Sequence, residues 1–292
     1  MSVLASERAF AKLNLCLFLG PTRDDGRHEL LTLFDSVNLA DELTIEQGTR
    51  DEVVCDAVPG LNLVFSALEL LRQAGWDAPP VRVTIEKRIP VAAGMGGGSA
   101  DAAAILRAAI RLAPVPRARL FRIAFALGAD VPGQLLPGPS LGTGAGETIE
   151  PLVAIEPYGV LVLPQPFALS TAAVYNEADR LGLGRTASAL DSRRTALRSA
   201  FPAIASGLVI NDLQPAALSL APAIGAALMA AAGAGADHVL VCGSGPTVIG
   251  VFVGADGLER ANAAAGGLRD RLPAALAAAP VGAGVRAPAP ND

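Results

Sequence analysis

The chain has 292 residues, 51% of them apolar and 17% charged, with a formal net charge of −5. That length buries a full core in one large domain or two ordinary ones. The apolar content excludes a disordered or acidic-tail protein, and the charge excludes a global electrostatic pull toward nucleic acid.

The N-terminus, MSVLASERAFAK, carries charges where an export signal needs an apolar run, so a cytoplasmic protein is expected. Residues 9–19 (AFAKLNLCLFL) read as a strand, residues 21–29 as a turn with Asp25-Gly26 at its tip, and residues 33–47 as further strand. The spacing predicts a helix over 61–74, stopped by Gly75. Residues 81–89 put Val81, Val83 and Ile85 on one face and Arg82, Thr84 and Glu86 on the other, which predicts a half-buried strand. In residues 90–113 a glycine-rich loop passes into an alanine-rich helix with Ser99 or a neighbour as N-cap. Residues 117–127 predict another helix, closed by Gly128. Beyond Glu150-Pro151 come a strand (158–163), a helix near 171–181, and an Arg/Ser/Ala-rich helical stretch within 183–206. A helix over 222–232 and short strands over 238–242 and 247–253 follow, the strands flanking Gly243-Ser244-Gly245-Pro246. Leu213–Ala236 carries no charge but is interrupted by Pro215 and Pro222, which predicts buried helix and no membrane span. The tail from about 279 is expected to fray.

Three cysteines, Cys16, Cys55 and Cys242, form no CxxC pair, which fits a reducing compartment, and two histidines argue against a His/Cys zinc site. Only Lys12 and Lys87 are lysines; every other one of the 23 basic residues is arginine. Where arginine is used almost throughout, a lysine marks a place for a job arginine cannot do.

The densest chemical signal is Gly94-Met95-Gly96-Gly97-Gly98-Ser99. Glycines let a backbone turn tightly and aim several N–H groups at one point, and a helix starting there adds its positive end; the pair cradles phosphate. It is not a Walker A loop, because no Lys-Ser/Thr follows the last glycine. It is not a dinucleotide fingerprint either, because no acidic residue lies between Ala102 and Ala129 to hold a ribose.

Pro90-x3-Gly94-Met95-Gly96-Gly97-Gly98-Ser99-Ala100-Asp101 resembles the central ATP-binding motif of the GHMP kinase superfamily. Ala11-Lys12-Leu13-Asn14-Leu15 and Gly243-Ser244-Gly245-Pro246-Thr247 resemble its first and third motifs, in the expected order. Residues 11–43, Glu86-Lys87-Arg88-Ile89-Pro90 and Gly128-Ala129-Asp130-Val131-Pro132 resemble one family within it, the 4-diphosphocytidyl-2-C-methyl-D-erythritol kinases. The resemblance runs from about residue 9 to 255. It implies a two-domain α+β GHMP kinase fold with the active site in the interdomain cleft. The domains expected are 1–150, holding the glycine-rich loop, and 151–280, with a disordered tail over 281–292.

The activity implied is ATP-dependent phosphorylation of a hydroxyl of a cytidine-diphosphate-linked sugar alcohol, in the non-mevalonate (methylerythritol phosphate) route to isoprenoid precursors. The partners implied are that small molecule and ATP, with no nucleic acid and no membrane. Residue by residue, the resemblance gives Asp130 the task of deprotonating the acceptor hydroxyl. Lys12 would stand beside it and stabilise transition-state charge. Pro90, Gly94, Met95, Gly96, Gly97, Gly98, Ser99 and Ala100 would bind ATP. Asn14, Arg27, His28, Lys87, Tyr175, Gly243, Ser244 and Gly245 would bind the second substrate. His28 would read the cytosine edge, Lys87 would help hold the nucleoside, and Tyr175 would stack on the base. The family usually carries Tyr where Arg27 stands; a guanidinium can also stack on a base. Cys242 reads as a small buried residue. Mg²⁺ is expected with ATP, with Ser99 its one suggested ligand. Another GHMP small-molecule kinase, of the mevalonate or homoserine type, is the alternative reading, and a catalytically dead ligand sensor on this fold a further one.

Overall fold

The structure is a computed structural model that describes residues 2–58, 60 and 62–282. It opens with two 20-residue strands, β1 (Val3–Thr22) and β2 (His28–Gln47), paired antiparallel through the turn that holds Asp25-Gly26. Gly26 has φ 77°, which that tight turn requires. Residues 9–20 are buried without a break, which explains their weak alternation: both faces of β1 are covered.

The first half continues through β3 (Glu52–Val54), α1 (Leu63–Gln73), β4 (Val81–Glu86), α2 (Gly97–Leu112), α3 (Arg117–Leu127), α4 (Val131–Gln134), β5 (Ser140–Gly144) and β6 (Thr148–Pro151). The second half holds β7 (Tyr158–Leu163), α5 (Thr171–Arg180), α6 (Ala187–Ala200), α7 (Gln214–Leu220), α8 (Ile224–Gly233), β8 (His238–Val241), β9 (Val248–Val253), α9 (Gly257–Leu268) and β10 (Leu276–Ala278).

The strands form two sheets, one of six strands from the first half and one of four, ordered β10-β7-β9-β8, from the second. β2 is the spine of the larger. One edge pairs with β1; the other is divided, Glu42–Gln47 pairing with β4 and Leu30–Phe34 with β5. The unpaired interval of that edge leaves backbone groups that must bond elsewhere. Chain 279–281 takes them: Asn38 N–H donates to Ala279 O and Val281 N–H to Ser36 O, each at 2.8 Å. The segment expected to fray from 279 is therefore tied to β2 as far as Val281. Residues 283–292 of the expected tail lie outside the described residues.

One apolar core joins Leu13, Leu15 and Phe18 of β1 to α2, to Leu190 and Leu197 of α6, and to Val160 and Val162 of β7. The sheets part between β6 and β7, but α6 lies against β1 and β2. The charge-free stretch 213–236 forms α7 and α8, and among the described residues no helix is long and apolar enough to cross a membrane.

Candidate active site

Lys12 stands in the middle of β1, and its N–H donates to Met95 O at 2.9 Å. That bond lays the glycine-rich loop along the strand. The loop then alternates through left-handed residues, Ala92 (φ 56°), Gly94 (φ 75°) and Gly96 (φ 68°). α2 begins at Gly97 with Gly96 as its N-cap and no side chain capping it. Of the residues expected as N-cap, Ser99 or a neighbour, it is the neighbour Gly96 that caps, and Ser99 lies inside the first turn. A glycine cap in the left-handed region turns the chain more sharply than a serine cap would, and leaves the first-turn N–H groups to face outward. Met95 and Ala100 are fully buried, so they shape the loop through packing and backbone.

Gly94 brings the third motif into place. A Cβ there would lie 2.6 Å from Gly245 O and 3.1 Å from Cys242 O, so the two loops touch backbone to backbone. Asn211 holds the far side, donating through Nδ2 to Val241 O and Gly243 O at 2.7 Å each. Gln134 donates to Gly96 O at 3.1 Å. Neither residue was found from sequence, because each acts on backbone carbonyls across the fold and belongs to no local pattern. The Cys242 thiol is held up by burial, as suits a packing residue.

Lys12 Nζ lies 3.1 Å from Asp130 Oδ1; the lysine is buried and the aspartate half exposed. Asp130 is placed by the short helix that starts after it. Both line a cavity of about 370 Å³ together with Asn14, Gly94, Gly96, Ser99, Tyr175, Gly243 and Ser244. Its walls come from both halves of the chain. Asn14 donates to Thr32 Oγ1 at 2.8 Å, while its buried Oδ1 has no hydrogen-bond partner among the described residues. Thr32 in turn donates to Cys16 O, another tie the sequence did not signal. Burial pushes the Tyr175 phenol up to about 12, with the nearby Asp130 charge adding to it, so the ring stays neutral. Gly245 stands behind the wall, as the support of Gly94.

A second cavity of about 360 Å³ lies on the other side of the loop and shares Gly94, Gly96 and Ser99 with the first. Pro90, Gly97 and Gly98 line it, with Val58, Leu63 and Val91 as apolar walls.

Three expected substrate residues, Lys87, Arg27 and His28, do not line the first cavity. Lys87 lines the second cavity, away from Tyr175, with its ammonium buried between Asp41 and Asp101. Arg27 points outward and is bound to Asp25 through two hydrogen bonds of 2.9 and 3.1 Å, because the two-residue separation in the turn makes that pairing local and cheap. His28 is buried, with Nε2 3.0 Å from Asp179 Oδ1 and Nδ1 3.3 Å from Gly20 O. Both ring nitrogens are thus engaged within the protein. Its ring lies 5.6 Å from that of Tyr175 at 31°.

The family model for the GHMP kinases N terminal domain matches residues 62–138, and that for the GHMP kinases C terminal matches 191–274. A 4-diphosphocytidyl-2-C-methyl-D-erythritol kinase of Mycolicibacterium gilvum is 43% identical over 257 residues, covering 82% of this chain and 79% of that protein. One of Salinispora tropica is 39% identical over 267 residues, covering 87% and 85%. The chain belongs to the 4-diphosphocytidyl-2-C-methyl-D-erythritol kinase family of GHMP kinases. A crystal structure of 4-(cytidine 5'-diphospho)-2C-methyl-D-erythritol kinase superposes on this kinase with a TM-score of 0.79 at 34% identity, covering 95% of this chain and all of that one. The kinase is an ATP-dependent enzyme of the two-domain α+β GHMP fold.

Proposed function

We propose that this kinase transfers the γ-phosphoryl group of ATP to a hydroxyl of 4-diphosphocytidyl-2-C-methyl-D-erythritol. The observation that carries the chemistry is the Lys12–Asp130 pair at 3.1 Å, facing the same cavity as Ser99 and the glycine turn. The relatives' names supply the acceptor.

The two cavities divide the work. The apolar slot beside Val58, Leu63 and Val91 suits a flat purine. The triphosphate then crosses at the start of α2, where backbone N–H groups and the helix's positive end receive it. Its terminal phosphorus arrives in the cavity of Lys12 and Asp130. Phosphoryl transfer needs positioning and charge stabilisation more than covalent chemistry. Asp130 accepts the proton of the acceptor hydroxyl as its oxygen bonds to phosphorus and the bond to the ADP oxygen breaks. Lys12 orients that carboxylate and faces the negative charge that builds on the phosphoryl oxygens. Asn14 lines the same cavity, held by its bond to Thr32, and shapes the wall beside the acceptor. Tyr175 offers its ring to the cytosine, and His28, clamped by Asp179, backs that ring.

Among the described residues no group of three or more His, Cys, Asp or Glu could hold a metal. The Ser99 hydroxyl, which lines both cavities at the glycine turn, fits an Mg²⁺ carried in on the triphosphate, where the ion would neutralise phosphate charge. Free cysteines, two of them buried, suit the reducing cytoplasm.

The test is a panel of acceptors with Mg·ATP. Turnover of 4-diphosphocytidyl-2-C-methyl-D-erythritol, with none of mevalonate or homoserine, is expected. Comparable turnover of mevalonate or homoserine would overturn the acceptor assignment while leaving the phosphate site standing.

A further inference from the structure

The chain's two lysines reach the glycine loop from opposite sides. Lys12 Cβ lies 3.7 Å from where a Cβ on Gly96 would sit, and Lys87 Nζ lies 3.3 Å from where one on Gly97 would sit. Lys12 faces the reacting atoms. Lys87 lies beneath the turn, and its ammonium donates to Asp41 Oδ2 at 2.5 Å and to Asp101 Oδ2 at 2.7 Å.

Each carboxylate holds a different piece of the phosphate site. Asp41 Oδ1 accepts the N–H groups of Arg88 at 2.6 Å and Ile89 at 2.7 Å, fixing the segment that leads into the loop. Asp101 is four residues after Gly97 on α2, so the two share one face of the helix. Lys87 therefore links the loop's entry to the first turn of the helix. Burying three charges is costly unless each is bonded, and apolar packing could make a simple structural tie at less cost. Here one ammonium serves two buried carboxylates; Asp101 Oδ1 has no hydrogen-bond partner among the described residues, and burial lifts this carboxyl to about 7. A planar guanidinium, larger and forked, does not fit between Gly97 and carboxylates placed for a point charge.

We propose that Lys87, bonded between Asp41 and Asp101, is a positioning residue that fixes the first turn of α2, and thereby the N–H groups that hold the phosphates of ATP. This rests on the reading of that loop as the ATP site. It also removes Lys87 from the cytidine end of the substrate.

The experiment compares Lys87→Arg, Lys87→Gln and the double variant Lys87→Gln/Asp101→Asn, which loses one charge of each sign. Calorimetry measures Mg·ATP binding, steady-state kinetics give KM for each substrate, and thermal melting reports the fold. A misplaced phosphate cradle is expected to weaken ATP binding and raise its KM by about tenfold or more in all three, with KM for the cytidine substrate within about twofold. A double variant with wild-type melting and wild-type ATP affinity overturns the proposal, as does a rise confined to KM for the cytidine substrate. Should the Lys87 variants not fold, Gly97→Ala decides. Its methyl points at Lys87 and Ile89, at 3.3 and 3.2 Å, and unchanged ATP affinity there also overturns the proposal. A wild-type chain that binds no ATP defeats the reading of the loop and the proposal with it. A wild type that binds ATP, with variants that bind it equally well, defeats the proposal alone.

Discussion

Replacing Asp130 by Asn keeps the size of the side chain 3.1 Å from Lys12 and removes its ability to take a proton. The glycine turn is untouched, so Asp130→Asn should bind ATP normally and lose about 10²–10⁴-fold in kcat. Single-turnover kinetics with near-normal rates would show that the carboxylate is no base. The loop allows a second test, on stability. A methyl on Gly94 meets Gly245 O at 2.6 Å in a left-handed conformation, whereas one on Gly98 meets only Leu63 Cδ1 at 3.7 Å. Gly94→Ala should lose about 1–3 kcal/mol or more, and Gly98→Ala should gain up to about 1 kcal/mol from helix propensity. Equal melting temperatures for the two would contradict the close approach of the loops. The glycines were legible in the sequence because a run of residues without Cβ has few uses. The identity of the N-cap was not, because Gly96 and Ser99 both satisfy helix-start patterns and only the left-handed turn chooses between them.

At the scale of elements, α5 meets the β1–β2 hairpin at the cavity, where Thr171 and Tyr175 line it beside Leu17 and Leu30. Asp179 follows Tyr175 by one helical turn and binds His28 at the root of β2, so α5 is pinned beside the cavity. Tyr175→Ala should raise KM for the cytidine substrate by about five- to 150-fold, the equivalent of about 1–3 kcal/mol of stacking, and leave KM for ATP unchanged. Arg27→Ala should change neither by more than about twofold, because that guanidinium is already bound to Asp25 and faces solvent. Parallel loss in both variants would restore Arg27 to the pocket. The resemblance pointed to Tyr175, and the structure has it lining the cavity. The outward turn of Arg27 was not legible, because it depends on an aspartate two residues earlier taking the side chain. The burial of Lys87 was not legible for a related reason: strand-end lysines look solvated, and its partners lie 46 and 14 residues away in sequence. Periodicity found α1, α3 and β7 almost to the residue. It missed β5 (SLGTG) and α9 (GLERANAAAGGL), whose glycines and alanines carry little pattern.

For the whole molecule the question is what holds two sheets around one cavity. The shared core does most of it, with Tyr158 of β7 donating to Asp35 of β2 at 2.9 Å. The C-terminal strap is the second device. β10 pairs with β7, and the residues after it cross to β2 through three hydrogen bonds: the 2.8 Å bonds at Asn38 and Ser36, and Ala279 N–H to Asn38 Oδ1 at 3.0 Å. Val281 then buries its side chain against Phe10 and Ala40. Alanine, proline and glycine read as a loose end in sequence, since nothing in them shows that β2 has an unpaired interval to offer. Truncation after Ala275 removes β10 and the strap together. Hydrogen bonds at about 1 kcal/mol each and a valine at about 1.5–3 kcal/mol sum to a few kcal/mol, or about 10 °C in Tm for a chain of this size. Because the cavity walls come from both sheets, activity should disappear at correspondingly lower temperature. Val281→Asp in the full chain should reproduce a large part of the loss, since it places a charge among buried apolar side chains and leaves the backbone intact. If both proteins melt within about 2 °C of wild type, the strap contributes nothing, and the shared core alone keeps the sheets together.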